Sequence, residues 1–218
     1  MDAKYMRDKV VDYTIQRLNI DGIRKIRMDD ISNGIGMSKR TLYQLFKNKE
    51  TLIGVCLDIL FKNGRKLLYL NASYTKEDSV NRVLHVLNCY ITSIHLLKRN
   101  LLSELTSYIQ YSTKLQQEKI FWKLQFMQAL EKCREQFSPI VEENLECWTI
   151  DILHLFCQNC INGQSYQSQL QMGYVFVKGL VNSNRPADFD LTVQFEWKRL
   201  VAIWENFWQN ICTESTSA

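Results

Sequence analysis

Residues 28–51, MDDISNGIGMSKRTLYQLFKNKET, constrain the fold more than any other stretch of this chain. Ile31 and Ile35 lie four residues apart, and Leu42 and Phe46 have the same spacing, so each half presents an apolar stripe with helical periodicity. Between the halves, Gly36 tolerates a positive φ that other residues resist. The segment therefore predicts two short amphipathic helices that are joined by a tight turn and share a core.

The second of these helices is predicted to carry a face made entirely of hydrogen-bond donors. Ser38 is expected to be its N-cap, because a hydroxyl oxygen accepts from the free N–H groups of the first turn. The outward side chains are expected to be Lys39, Arg40, Thr41, Tyr43 and Gln44. Lys and Arg pair with guanine, Gln pairs with adenine, and a helix N-terminus suits phosphate. Such a face is typical of a recognition helix in the major groove of DNA.

The motif resembles the helix-turn-helix of the tetracycline-repressor (TetR) family of bacterial transcription regulators. The matching residues are Ile31-Ser32, Gly36-Met37-Ser38, Thr41-Leu42-Tyr43, Phe46 and Lys49-Glu50. The resemblance implies that Lys39, Arg40 and Gln44 face bases. It also implies that Thr41 and Tyr43 contact the DNA backbone and that Lys49 pairs with a phosphate.

Two positions in the first of the two motif helices depart from the family pattern. Arg27 stands where the family usually has a Ser or Thr cap, so either the cap comes from elsewhere or Arg27 turns toward a phosphate. We count Arg27 among the DNA-binding candidates. Gly34 is expected in the middle of this helix, where glycine costs about 1 kcal/mol relative to alanine. The first helix of the motif is therefore predicted to be poorly capped and soft.

Composition and charge agree with a helical DNA-binding protein. Only 8 Gly and 2 Pro occur in 218 residues, which favours long helices over a sheet with many tight turns. Residues 1–66 hold 14 Lys and Arg against 8 Asp and Glu, and the other 152 residues hold 13 against 15. The positive charge is thus concentrated where phosphates would be bound.

The cellular setting is predicted from the cysteines and the absence of long apolar runs. Seven cysteines at irregular spacing do not suggest a disulfide framework, and MDAKYMRDKV lacks the apolar core of a signal peptide. No apolar run approaches the ~18 residues of a membrane span. We expect a protein of the bacterial cytoplasm that acts at the nucleoid and does not enter the membrane.

The helical pattern predicts an all-α chain of about nine or ten helices in two domains. Residues 1–48 would form a three-helix DNA-binding domain, and residues 49–218 a helical regulatory and dimerisation domain. Residues 49–70 would connect the two as one long helix. Further helices are expected over residues 101–137, with a break near residues 111–113, over 145–162 and 166–181, and around an aromatic stripe at 193–211.

The family resemblance implies two functions for the second domain. The first is a pocket for a small-molecule effector, whose aromatic candidates suit a flat or hydrophobic molecule, including a cationic one: Tyr90, His95, Tyr108, Tyr111, Phe121, Trp122, Phe126 and Trp148. The second is a homodimer contact, for which the alternative is packing within the chain: Leu145, Trp148, Ile152, Leu155, Phe156, Tyr174 and Val177.

Other chemistry has little support in the sequence. Cys157 and Cys160 with His154 do not make a metal site, because the histidine and Cys160 lie on different helix faces and no second cysteine pair follows. No catalytic motif is present, so neither an enzyme nor a cofactor is expected. The sequence predicts a DNA-binding regulator, most simply a dimeric repressor of a palindromic operator that an effector releases. The alternative is a ligand-independent adaptor or architectural protein that sits on DNA and recruits a protein partner.

Overall fold

The computed structural model describes residues 3–70, 79–136 and 144–180, and within these ranges the chain is helical and contains no strand. Two 3-10 turns, Ile109–Tyr111 and Arg134–Gln136, accompany the α-helices. The α-helices of the described ranges are α1 (Ala3–Lys25), α2 (Met28–Gly34), α3 (Lys39–Leu45), α4 (Lys49–Leu70), α5 (Ser79–Leu96), α6 (Arg99–Leu105), α7 (Ser112–Glu131), α8 (Leu145–Ile161) and α9 (Tyr166–Leu180). The predicted all-α class is confirmed.

Helix α1 is interrupted near its C-terminal end. Gly22 has a φ of 76° and a ψ of 179°, which breaks the helical geometry three residues before the end of the element. Upstream of the break, Val11, Ile15 and Leu18 are buried at helical spacing. Helix α1 packs against α2, α4 and α6. It therefore supports the DNA-binding motif, of which α2 is the first helix.

Helices α2 and α3 form the predicted helix-turn-helix, with one correction. Gly36 has a φ of 67°, as a tight turn at this position requires. Gly34, however, is the last residue of α2 and not a residue of its middle. A Cβ at Gly34 would lie 2.0 Å from the Tyr13 hydroxyl oxygen. Glycine at this position therefore permits close contact with α1, and the predicted softening of the helix interior is wrong.

Helix α4 covers Lys49–Leu70, the same residues that the sequence predicts for the connecting helix. Its N-cap is Asn48, whose side-chain oxygen accepts from the Thr51 backbone N–H at 2.8 Å and from the Thr51 hydroxyl at 2.7 Å. The helix packs on α1 at one side and on α5 and α7 at the other. It is therefore in direct contact with both the motif's supporting helix and the rest of the helical body.

Helix α5 lies at the centre of the body and contacts α4, α7, α8 and α9. Its residues from Val80 to Ile94 are buried except for half-buried Arg82. The predicted helices at 145–162 and 166–181 correspond to α8 and α9. The break predicted near residues 111–113 begins earlier, since α6 ends at Leu105 and a 3-10 turn precedes α7.

Several sequence predictions stay untested. The predicted helix around residues 193–211 lies outside the described residues, and the domain boundary between residues 48 and 49 stays a prediction. Among the described helices, none is both long and apolar enough to cross a membrane.

Candidate DNA-binding interface and ligand cavity

The N-cap residue of α3 is Ser38, as the sequence predicts. Ser38 has extended backbone angles, and its Oγ accepts from the Thr41 backbone N–H at 3.1 Å. The same Oγ lies 2.8 Å from the Thr41 hydroxyl. Thr41 is therefore fixed within the cap of the helix, at the end where a helix offers free N–H groups to an anion.

The inner side of α3 is anchored by apolar contacts and by an arginine from α1. Leu42 and Phe46 are buried, as their spacing predicts, and Leu45 between them is half-buried. The Arg7 guanidinium lies 4.4 Å above the Phe46 ring and donates to the Leu45 carbonyl at 3.0 Å. A cation at the C-terminal carbonyls stabilises a helix end. Sequence reasoning missed Arg7, because no local pattern pairs it with residues almost forty positions later.

The outward side of α3 presents the predicted DNA-binding candidates to solvent. Lys39, Arg40, Tyr43 and Gln44 are exposed, and Thr41 is half-buried. Lys39 forms an ion pair with Asp29 of α2 at 2.7 Å, and both side chains are more than half exposed. An exposed pair of this kind is worth at most about 1 kcal/mol. Lys39 can therefore exchange this partner for another acceptor at little cost.

The two remaining candidates, Arg27 and Lys49, lie at helix starts. Arg27 is the N-cap residue of α2, is exposed, and makes no side-chain capping bond. Lys49 is the first residue of α4, directly after the Asn48 cap, and is half-buried. Both cations are thus positioned beside helix N-termini, where the positive end of the helix dipole adds to their own charge.

A carboxylate from the body holds the backbone where α1 breaks. The Glu104 side chain, on α6, accepts from the backbone N–H groups of Ile23 and Arg24, the second at 3.0 Å. These two residues follow Gly22, where the helical hydrogen-bond pattern is interrupted. Since unpaired backbone donors are costly to bury, Glu104 stabilises the entry to the helix-turn-helix. No local sequence pattern indicates this contact, because its partners lie far apart along the chain.

The body contains a cavity of about 410 Å³ between α5, α7 and α8, which falls within the usual range of ligand pockets. Two predicted pocket residues, Tyr90 and Trp122, line it. The other lining residues are not aromatic apart from one histidine and lie outside the predicted set: Thr106, Gln116, Lys119, Ile120, Lys123, Ile150, Leu153, His154, Cys157 and Gln158.

The other six predicted pocket residues lie outside the described lining of this cavity. Phe126 is fully buried in the core, Tyr111 is buried beside Tyr108, and Trp148 is 38% exposed. The Phe121 ring packs on Trp122 and under the Arg65 guanidinium, 4.7 Å from its centroid. His95 contacts Tyr166 edge-on at 5.4 Å. These aromatic side chains therefore contribute to packing around the cavity or elsewhere in the body.

A smaller cavity of about 40 Å³ adjoins the first and shares Tyr90, Lys119, Trp122 and Cys157 with it. The Tyr90 hydroxyl donates to the Leu153 carbonyl at 2.7 Å, and burial raises the pKa of Tyr90 well above its usual value. Burial likewise raises the pKa of the Cys157 thiol, while the nearby Lys119 ammonium lowers it. No group of three potential metal ligands occurs in the described part of the chain.

A polar contact joins the cavity wall to helix α4. The Trp122 indole N–H donates to Glu118 Oε1 at 2.7 Å, and the Arg65 guanidinium donates to Glu118 Oε2, with its Nε at 2.8 Å. Burial raises the pKa of Glu118, while both Arg65 and Trp122 lower it. A residue that lines the cavity is therefore two hydrogen bonds away from the helix that begins beside α3.

The predicted dimer residues fall into two groups. Four of them are buried within the chain: Leu145, Ile152, Phe156 and Val177. Trp148 and Leu155 are exposed, and Tyr174 is half-buried. Trp148 and Leu155 lie seven residues apart on α8, and thus on one stripe that differs from the stripe of Ile150, His154 and Cys157 at the cavity. Only the second group is accessible to a second copy of the chain.

The capped recognition helix and the helical body with its cavity together define a DNA-binding regulator of the helix-turn-helix class. Residues 16–56 match the family model described as "Bacterial regulatory proteins, tetR family". Residues 16–56 therefore form a DNA-binding domain of the TetR family, and the resemblance predicted from the sequence is confirmed.

Three solved structures show the same fold. A protein of Rhodococcus sp. assigned to the TetR-family transcriptional regulators is 16% identical with a TM-score of 0.65, covering 81% of this chain and 98% of its own. The ketosteroid transcriptional regulator KstR2 of Mycobacterium tuberculosis is 18% identical with a TM-score of 0.56, covering 82% and 96%. The reduced form of Escherichia coli NemR is 18% identical with a TM-score of 0.60, covering 83% and 98%. No curated protein matches the sequence significantly.

Proposed function

We propose that this regulator is a repressor that binds a palindromic operator as a homodimer and leaves it when a small molecule binds the body. The observation that carries the proposal is the α3 surface, where Lys39, Arg40, Tyr43 and Gln44 are exposed on a helix capped by Ser38. Such a helix presents several donors to base edges and phosphates at once. The proposed site of action is the bacterial nucleoid.

Each exposed side chain has a proposed role that follows from its chemistry. Lys39, Arg40 and Gln44 contact bases, since their donors match guanine and adenine edges. Thr41, Tyr43, Lys49 and Arg27 contact phosphates. Loss of a phosphate contact weakens binding to all sequences, so we expect this effect from both Tyr43→Ala and Lys49→Ala. Lys49→Ala should also lower the salt dependence, because it removes a positive charge.

The proposed dimer contact uses the exposed part of the predicted interface. Trp148 and Leu155 of α8 are 38% and 47% exposed, and Val175 of α9, which the sequence pattern did not single out, is 67% exposed. An apolar side chain gains about 25 cal/mol for each Å² removed from water, so such residues favour association. The buried members of the predicted set support these residues from within the chain.

A second candidate function, the ligand-independent adaptor, has no observation in its favour. The cavity of about 410 Å³ lies between helices that contact one another, and two of them, α5 and α7, also contact α4, which is the arrangement that an effector-controlled regulator needs. A change of packing around the cavity would alter the position of α4 and, with it, of the α3 surface. We therefore propose the sensor and not the adaptor.

Light scattering at micromolar concentration, with and without duplex DNA, tests the proposal. We expect the mass of a dimer for the free protein, and a complex of one dimer with one duplex that carries a palindromic site. Leu155→Arg should yield a monomer that binds the same duplex weakly, while Lys62→Met, on the exposed side of α4, should remain dimeric. A monomeric mass for the unmodified protein would refute the dimer.

A further inference from the structure

The cavity between α5, α7 and α8 has a distinctive charge pattern. Three of its lining residues carry nitrogen donors that attract anions: Lys119, Lys123 and His154. Its described lining contains no Asp or Glu. A bound cation would therefore find aromatic rings but no carboxylate among the described lining residues, whereas a bound anion would find the Lys119 ammonium beside Lys123 and its partner Glu146. The charge pattern opposes the cationic effector that the aromatic composition suggested.

Lys119 is the cation best able to bind a ligand. Lys123 is already paired with Glu146 through its Nζ. No ion pair to Lys119 is found in the described ranges of the chain, and Lys119 lines both the large cavity and the small one. Its charge influences the cavity wall, because it lowers the pKa of Cys157 against the effect of burial. An uncommitted ammonium at the junction of two cavities can form a charge-assisted hydrogen bond with a carboxylate.

The small cavity beyond Lys119 is apolar. Its walls include Leu60, Phe61, Ile94, Leu97, Leu102 and Leu115. The acid in its lining, Glu118, is occupied by Arg65 and Trp122. Because Glu118 would repel a carboxylate, the anionic end of a ligand is favoured at Lys119. The apolar end of the same ligand is favoured at the inner walls.

We propose that the effector is an amphipathic carboxylate, whose charged end pairs with Lys119 and whose apolar part packs on Trp122 and Tyr90 toward α4. This inference rests on the proposed effector-controlled function and specifies its ligand. The apolar part contacts the same Trp122 that donates to Glu118, and Glu118 holds Arg65 of α4. Binding at Lys119 is thus connected to the helix that leads to the DNA-binding motif.

A matched set of probes tests the charge preference. Straight-chain carboxylates from hexanoate to dodecanoate are compared with the alcohols and trimethylammonium compounds of equal chain length, below their micelle-forming concentrations, by calorimetry with the full chain. We expect at least one carboxylate to bind about fivefold more tightly than its matched alcohol, since an ion pair with an exposed ammonium is worth at most about that factor. Equal affinities, a preference for the ammonium compounds, or no binding by any carboxylate would overturn the proposal.

Variants of Lys119 locate the effect. Lys119→Met keeps the length of the side chain and removes its charge, so it should reduce carboxylate affinity about fivefold and leave alcohol affinity unchanged. Lys119→Arg should restore the preference. The control is Lys178→Met, which removes the same charge from an exposed position of α9. Equal carboxylate affinity in the Lys119→Met and Lys178→Met proteins would overturn the role of Lys119.

The proposed function and the ligand class fail in different ways. Binding of a selected DNA duplex is measured first, without ligand. If the protein did not bind DNA in that measurement, the proposed regulator function would be rejected and the ligand class would not. Release of that duplex by the bound carboxylate is measured second. Tight carboxylate binding without release would retain the ligand class and reject effector control of DNA binding.

Discussion

The recognition helix and the cavity differ in where along the chain their functional side chains come from. The α3 surface is built from consecutive residues between Ser38 and Gln44, with supports from Arg7 and Phe46. The cavity is lined from Tyr90 to Gln158, by residues of three helices. A local surface can be read from spacing, whereas a cavity depends on how distant helices pack. The difference explains why the DNA-binding part is recognisable in the sequence and the ligand part is not.

The two regions are also stabilised differently. The motif relies on caps and on one inserted arginine, and its outward side chains form only weak surface pairs such as Lys39 with Asp29. The body buries a carboxylate, Glu118, with an arginine and an indole. Changes on the α3 surface should therefore affect binding with little effect on stability, and changes at Glu118 should affect stability first.

The largest expected effect is that of Glu118→Ala. The change leaves the Trp122 indole N–H without its acceptor and Arg65 without its partner. Because Arg65 is 38% exposed and water can solvate it in part, we expect a loss of about 2–3 kcal/mol in the free energy of unfolding. Urea denaturation measures it. Glu131→Ala on the same helix, where the acid is exposed and pairs with Arg134, is the control and should cost about 0.5 kcal/mol or less.

The next effect concerns the α3 surface and should appear in binding alone. Arg40→Ala should cost about 1–3 kcal/mol of discrimination at one base pair of the operator and leave the free energy of unfolding nearly unchanged. Fluorescence anisotropy with duplexes that differ at single positions measures it. Lys47→Ala, an exposed lysine just beyond α3, is the control. An unchanged base preference in the Arg40→Ala protein would show that Arg40 does not contact a base.

Glu104 lies between the two regions and should influence both. Glu104→Ala removes the acceptor of the Ile23 and Arg24 backbone N–H groups, so we expect a loss of about 1–2 kcal/mol in stability and weaker binding to DNA of any sequence. Glu104→Gln, which keeps an acceptor oxygen, should recover part of each. Urea denaturation and DNA affinity are measured for both variants. A loss of stability with unchanged DNA affinity would show that Glu104 stabilises the fold and does not influence DNA binding.

The smallest effect is a pH dependence confined to the body. All three histidines of the chain lie beyond residue 84, and burial lowers the pKa of both His85 and His95 from 6.5. A folded pKa below the unfolded one gives stability that is complete above about 6.5 and is lost as the pH falls toward the folded value. Hydrogen-exchange protection should therefore fall more in α5 than in α1–α3 between about pH 7 and about pH 5.5. An equal fall in both regions would contradict this assignment.

Sequence reasoning succeeded where the determining contacts are local. Ser38 and Gly36 could be assigned because a cap and a positive φ depend on neighbours within three or four residues. It failed for Glu104 and Lys119, whose roles depend on residues far away in the chain. Trp148 shows the same limit, since the sequence offered it both for the effector pocket and for the dimer contact, and the described structure leaves it 38% exposed and outside the cavity lining. Apolar periodicity identifies the apolar face of a helix, but it does not identify which part of the chain or which second copy packs against that face.

Gly34 is a further instance of this limit. From the sequence, a glycine in a helix predicts a loss of stability, whereas the structure places it at the end of α2 against Tyr13. The reason for glycine at this position is a contact with another helix, which propensity alone does not contain. Tertiary packing thus decides the meaning of a residue that the local pattern only marks as unusual.

Selection of bound sites from a random pool of duplex DNA tests the central claim most directly, namely that the α3 surface recognises a two-fold DNA site. We expect enrichment of an inverted repeat whose half-sites are separated by about one helical turn or a multiple of it, ~34–36 Å per turn. The same selection with Arg40→Ala should lose preference at matching positions of both half-sites. Recovery of unrelated sequences by the unmodified protein, or of a single half-site without its repeat, would contradict it.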